Sequence, residues 1–276
     1  MAIATRAQSP KVEARDPTDL RIALVLSAGG LRGAAHVGVL RALVREGIPI
    51  DVLVGVSAGA VIAAYYGAAG LTLDELADDA VRFRGRHLLW HSLNVRSGQR
   101  FDAALAPRCG IIPERLRRLE AATFDTLHHG IHAIGIGCHD VRADRPRYFA
   151  TGATHGVTLH EVVKASASMP FFFPNVPVVC AGERWLLTDG GVSDPVPVAF
   201  ARAAPLHATH VIVSDTRWIG RVPRNYAQTV WIRPRLPGTG TLWTRRGLAA
   251  AVRCGDAAVT ADVVARIRAW SRGAAA

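Results

Sequence analysis

The chain has 276 residues, 50% of them hydrophobic, enough to bury a full-sized core without disulfides or metal; a wholly disordered chain is excluded. Its 33 basic residues against 22 acidic ones leave a formal charge of +11, yet almost every basic residue is a scattered arginine, Lys11 and Lys164 being the two lysines. No recognition motif for nucleic acid accompanies that charge, so a peripheral encounter with an anionic membrane is the better reading of it than nucleic acid.

Residues 1–20 are polar, mixed in charge and broken by Pro10 and Pro17; they lack the apolar core of a secretory signal, read as a flexible N-terminal tail and fit a cytoplasmic protein. Cys109, Cys138, Cys180 and Cys254 form no CxxC pair, and neither a metal nor an organic cofactor is called for. Arg21 to Ser27 is an apolar run of strand length ended by glycines. Val37, Leu40, Leu43 and Val44 then recur at helical spacing between Gly33 and Glu46, with Gly47 where a C-terminal cap belongs. Val52 to Leu73 carries no charge and is, at about 20 residues, long enough to span a bilayer. Its glycines at 55, 59, 67 and 70 instead favour a buried strand over Ile50 to Val54, a sharp turn and a helix over Ala58 to Ala69.

Strand, helix, strand, helix with short connections predicts an α/β fold whose mostly parallel central sheet has helices on both faces, a three-layer arrangement. Further strands are expected at Ile131 to Cys138, Arg147 to Ala150, His210 to Ser214 and Thr229 to Ile232, and helices at Thr158 to Ser166 and Pro195 to Ala204. Residues 82–107 show no clear period and suit a cover over a site. Thr241 to Trp270 reads as a helix broken near Gly255, packed on the surface of the domain or lying in a membrane interface. The implied organisation is one catalytic domain over 21–235 with a helical extension, 236–276, packed on it.

Gly55-Val56-Ser57-Ala58-Gly59 is a GxSxG pentapeptide between a strand and a helix, the setting of a nucleophile elbow: a strained turn lifts the serine hydroxyl, and Gly55 and Gly59 let the two arms approach. Ala28-Gly29-Gly30-Leu31-Arg32-Gly33 also joins a strand to a helix, and its amides can converge on an anion. Two uses compete. It could cradle a dinucleotide, with Asp51 on the ribose, or serve as an oxyanion hole beside the elbow. Among candidate bases, His207 and His210 follow the acids in the order of a Ser-Asp-His triad, and His36 falls in the first turn after the glycine loop. Asp189, ending an apolar segment and followed by Gly190 and Gly191, is the stronger candidate; an ordinary Asp-Gly turn is its plain alternative.

Together, AGGLRG, GVSAG and DGGVSDPVPV, with the block KASASMPFFFPNV over Lys164 to Val176, resemble the patatin-like phospholipase family from about Ile22 to about Asp215. The resemblance implies a serine acyl hydrolase acting on lipid or other acyl esters through a Ser57–Asp189 dyad without histidine. It also implies an oxyanion hole drawn from Gly29, Gly30, Leu31, Arg32 and Gly33. Ala28 stands where the family has a glycine, and Asp194 where it often has asparagine; a second negative charge there is expected to raise the base's pKa. A lipid- or nucleotide-binding module without chemistry is the non-enzymatic alternative. Headgroup preference and oligomeric state are not readable from the sequence.

Overall fold

The apolar runs become the centre of a single sheet in a computed structural model that describes residues 20–82, 113–180, 182–220 and 227–273. Five strands run parallel: β1 (Ile22–Leu26), β2 (Val52–Val56), β3 (Ala133–Asp140), β7 (His210–Ser214) and β8 (Thr229–Ile232), in the spatial order β3-β2-β1-β7-β8. β4 (Arg145–Ala150) and β6 (Glu183–Asp189) lie antiparallel to β3, and β5 (Val176–Cys180) antiparallel to β6. The uncharged stretch from Val52 is therefore strand, turn and helix, and no helix among the described residues is long and apolar enough to cross a membrane.

Alternation along the buried strands sends side chains to two cores. On one face Ile22, Leu24 and Leu26 join Leu53, Ile134, Ile136 and Ile212 under α1 (Ala34–Arg45), α2 (Ala58–Gly67), α5 (Leu159–Ser166), α8 (Arg245–Ala257) and α9 (Ala261–Gly273). On the other, Ala23, Val25, Val52, Val54, Val211 and Val213 meet Val198, Phe200 and Leu206, from α6 (Val198–Arg202) and the turn after it. Both faces are covered, but unequally: larger residues face the thick helical layer, and smaller ones face, among the described residues, the short α6. α6 is shorter than the stretch expected from Pro195 to Ala204: it ends at Arg202, and Ala203 after it is extended.

The remaining helices are α3 (Leu73–Arg82), α4 (Pro113–Ala121) and α7 (Thr239–Leu242). α5 begins with a capping box in which Thr158 and Glu161 satisfy each other's backbone amides. α8 crosses α1 at backbone contact: a Cβ on Gly38 would strike the Val252 carbonyl, and one on Gly255 the Ala35 carbonyl. Asp256 adds ion pairs to Arg41 and Arg45. The break expected near Gly255 is present, but the glycine does not make it. That glycine is a contact point inside a continuous helix, and the chain turns instead at 258–260, where Thr260 begins α9. The tail over 1–19, and 83–107 of the expected cover, lie outside the described residues.

Candidate active site

β3 organises the site through its two edges. One edge carries β4; the other carries β2 up to the pair Val56–Gly137 and then β6 from the pair Cys138–Asp189. β2 and β6 run in opposite directions, so their C-terminal ends meet head-on along one edge of β3. Ser57 follows the first and Asp189 ends the second. That junction is why residues 132 positions apart face each other: Ser57 Oγ donates a 2.6 Å hydrogen bond to Asp189 Oδ2.

The turn at Ser57 has φ 56° and ψ −124°, a conformation that an L-residue holds only under constraint from its surroundings. Two close approaches supply the constraint. A Cβ on Gly55 would overlap the Gly59 carbonyl, and one on Gly59 the Leu26 carbonyl of β1. The Ser57 amide donates to Ser166 Oγ at 3.0 Å, and Ser166 in turn donates to the Gly137 carbonyl at 2.6 Å, tying the elbow to β3. Ser57 also stands at the N-terminus of α2, where the helix dipole favours negative charge.

Asp189 is held from both sides. Gly191 N–H donates to its Oδ1 at 2.8 Å, and its own amide donates to the Ser168 carbonyl at 3.1 Å. Gly190 lies against the Gly137 carbonyl and Val56, with no space for a side chain. Ser57 is 8% and Asp189 5% exposed. Burial pushes the Asp189 carboxyl above the usual carboxylate range, against the opposing pull of the hydrogen bonds from Ser57 and Gly191. This corrects the expectation for Asp194: the upward push comes from desolvation, and the Asp194 carboxylate accepts a 2.6 Å hydrogen bond from Tyr148 instead. The buried thiol of Cys138 is pushed up by burial and by Asp189, so it stays protonated.

The glycine loop reaches the same place. Gly33 sits against the Ala58 methyl, Gly191 would bring a Cβ to 3.0 Å from that of Ala28, and Gly29 is pressed on Thr216 Oγ1. Gly30 takes φ +53°, which turns the loop into its short 3-10 segment. Of the five expected positions, Arg32 has its amide committed to the Gly29 carbonyl at 3.1 Å and its Nε to the Thr216 carbonyl at 2.7 Å. The amides of Gly29, Gly30 and Leu31 have no acceptor among the described residues.

The histidines go elsewhere. His210 begins β7 and rests on Trp270, and His207 lies in the exposed turn before it, both at the opposite end of the parallel strands from Ser57. His36 is fully buried between Ser214 Oγ (2.7 Å) and the Ser27 carbonyl (2.9 Å), and burial pushes its pKa down to about 4; it is a neutral brace joining α1 to β1 and β7. Asp51 sits at the N-terminal end of β2, accepting from the Ile22 amide at 2.8 Å, remote from the glycine loop and any ribose bound there. No group of three or more metal-ligating side chains occurs among the described residues.

The profile of the patatin-like phospholipases matches residues 24–202, a span that contains all three motifs. The chain belongs to the patatin-like phospholipase family. Patatin-like relatives include the patatin-like phospholipase domain-containing protein ZK370.4 of Caenorhabditis elegans, 46% identical over 29% of this chain and 6% of that protein. Patatin-like phospholipase domain-containing protein 7 of Rattus norvegicus is 29% identical over 69% of this chain and 13% of its own length. Lysophospholipase NTE1 of Scheffersomyces stipitis is 27% identical over 90% and 16%. The chain thus spans a small part of each of these curated relatives. Among solved structures, VipD from Legionella pneumophila aligns with 87% of this patatin-like chain and 67% of its own, at 13% identity and a TM-score of 0.46.

Proposed function

We propose that this patatin-like protein is a serine acyl hydrolase that cleaves carboxylic esters of lipids, in the manner of a phospholipase A, a lysophospholipase or an esterase, with Ser57 as nucleophile and Asp189 as base. The observation that carries the reading is the 2.6 Å hydrogen bond from the Ser57 hydroxyl to a buried carboxylate, at a serine held on a strained elbow. Membership of the family and relatives named lysophospholipases support the lipid ester as substrate class.

As Ser57 Oγ forms its bond to the ester carbonyl carbon, its proton passes to Asp189, and the carbonyl oxygen becomes an oxyanion held by the free amides of Gly29, Gly30 and Leu31. Collapse of this intermediate breaks the ester C–O bond, and the departing alkoxide takes the proton from Asp189. Water, giving a proton to the same carboxylate, then attacks the acyl carbon; the bond to Ser57 Oγ breaks, and Asp189 returns that proton to Oγ as the acid leaves. Burial serves this chemistry by raising the basicity of Asp189, since an aspartate near about 3.9 is a weak base for an alcohol. The neutral amides supply the remaining stabilisation; in other serine enzymes the loss of one such donor costs about 3 kcal/mol.

The test is covalent labelling with a fluorophosphonate, mapped by mass spectrometry, beside hydrolysis of a short chromogenic ester. The label is expected on Ser57, and hydrolysis is expected to vanish in Ser57→Ala and to fall by about 10² or more in Asp189→Asn, while surviving in His207→Ala and His210→Ala. A chain that binds lipid but takes no label at Ser57 overturns the proposal.

A further inference from the structure

Two loops at the Ser57 end of the sheet present large apolar side chains to solvent. After β7, Trp218 is 62% and Ile219 83% exposed; after β6, Val192 is 53% exposed. Both loops border the site directly. Val192 is one residue beyond Gly191, which touches Ala28 of the glycine loop. Trp218 carries the Arg32 guanidinium over its ring at 5.1 Å. Phe171 and Phe172, four and five residues past Ala167 at the end of α5, are exposed as well. Single exposed apolar residues are ordinary, but a group of them at one end of the sheet is not.

Charge accompanies the apolar tips. Fully buried Asp215 is paired with Arg217 and Arg233, and Arg32, whose Nε donates to the neighbouring Thr216 carbonyl, lies within the field of the same carboxylate, so guanidinium groups outnumber carboxylates there. On the Val192 side, Asp194 is engaged by the Tyr148 hydroxyl. An aromatic with a cation on its face, aliphatic tips beyond it and a cationic surplus suit a boundary between headgroups and acyl chains.

We infer that this rim, Val192 with Trp218 and Ile219, docks the protein on an anionic lipid bilayer with the Ser57 end of the sheet facing the membrane. The orientation gains its purpose from the ester-hydrolase reading above; the docking itself does not depend on that chemistry. A bilayer fits better than a protein partner because the apolar tips flank the loops that carry Asp189 and the glycine segment, where a lipid ester would have to reach Ser57, and the arginines stand among them.

The experiment is vesicle co-sedimentation of the full chain carrying Ser57→Ala, so that the lipid stays intact, with phosphatidylglycerol–phosphatidylcholine vesicles and with pure phosphatidylcholine. Binding is expected to be stronger on the anionic vesicles. Ile219→Glu, at a position too exposed to support the core, is expected to weaken binding about tenfold or more, and Ile219→Ser to weaken it less. In the otherwise unmodified protein, Ile219→Glu is expected to leave hydrolysis of a water-soluble short-chain ester unchanged. Absence of vesicle binding, or binding indifferent to both substitutions, overturns the inference. So does a shift of oligomeric state on Ile219→Glu with unaltered vesicle binding, which would assign the rim to a second copy of the chain. Loss of ester hydrolysis in Ser57→Ala is read separately and bears only on the reaction.

Discussion

Replacing Ser57 by alanine and, separately, by glycine isolates the strain stored in the elbow. Both variants lose the hydroxyl that donates to Asp189, so both carry the same cost, about 1–3 kcal/mol, of a buried acceptor left short of a partner. They differ in backbone alone. Alanine has to hold φ 56° and ψ −124° against its Cβ, at about 1–3 kcal/mol, whereas glycine adopts this conformation freely. Against this, glycine gives the unfolded chain more freedom, worth about 0.5–1 kcal/mol. The balance makes Ser57→Gly the more stable by about 1 kcal/mol, or about 2–4 °C in melting temperature for a domain of this size. Urea titration and calorimetry of the two proteins check this, with both expected to be inactive on ester. If Ser57→Ala is as stable as Ser57→Gly or more so, the elbow is not strained and its glycines have been misread.

Asp189→Asn is expected to lower ester turnover by about 10²–10⁴, as loss of a general base does. Burial raises this carboxyl's folded pKa above its unfolded value, so ionisation destabilises the fold as pH rises, and the variant should melt no lower than the parent at pH 7. The acid limb of the parent's activity is expected to follow this raised carboxyl and to stay in place when any one histidine is replaced, checked by pH–rate profiles. His36 has the opposite sign. Its folded pKa of about 4 lies below the unfolded 6.5, so the unfolded chain binds a proton that the native imidazole refuses. Stability should fall by about 3 kcal/mol as pH drops from 6.5 to 4, and His36→Gln should flatten that slope in denaturant titrations. Gly38→Val is expected to lift α8 from α1 by striking Val252 and to cost about 3 kcal/mol or more, seen as early loss of hydrogen-exchange protection in α8.

Much of this architecture was legible because its signals are local. β7 and β8 coincide with the expected runs, and the elbow and glycine loop lie between the elements that their glycines demand. The hairpin of β5 and β6 was not legible. β5 alternates as an edge strand does and contains Pro177, which argues against a strand unless the edge position is known. Ser166, Ser168 and Thr216 were missed for a different reason: each acts through backbone groups of segments distant in the chain, and no spacing encodes that. The block around Lys164 to Val176 marked the region without assigning these roles. Gly255 misled because a glycine that admits a neighbouring helix reads the same as one that ends its own. The amides of the loop could be counted from sequence, but which of them were already engaged depended on the 3-10 turn at Gly30.

The abutting ends of β2 and β6 give β3 the part of a gauge block. The separation of Ser57 Oγ from the Asp189 carboxylate is fixed by adjacent rungs, Gly137 and Cys138, of one strand. Twisting of the outer strands leaves this spacing alone, whereas a single residue inserted between those rungs would part Ser57 from Asp189 by about 3.3 Å, one strand step. Tolerance to insertion should therefore be wide along β8 and nil at this one peptide link.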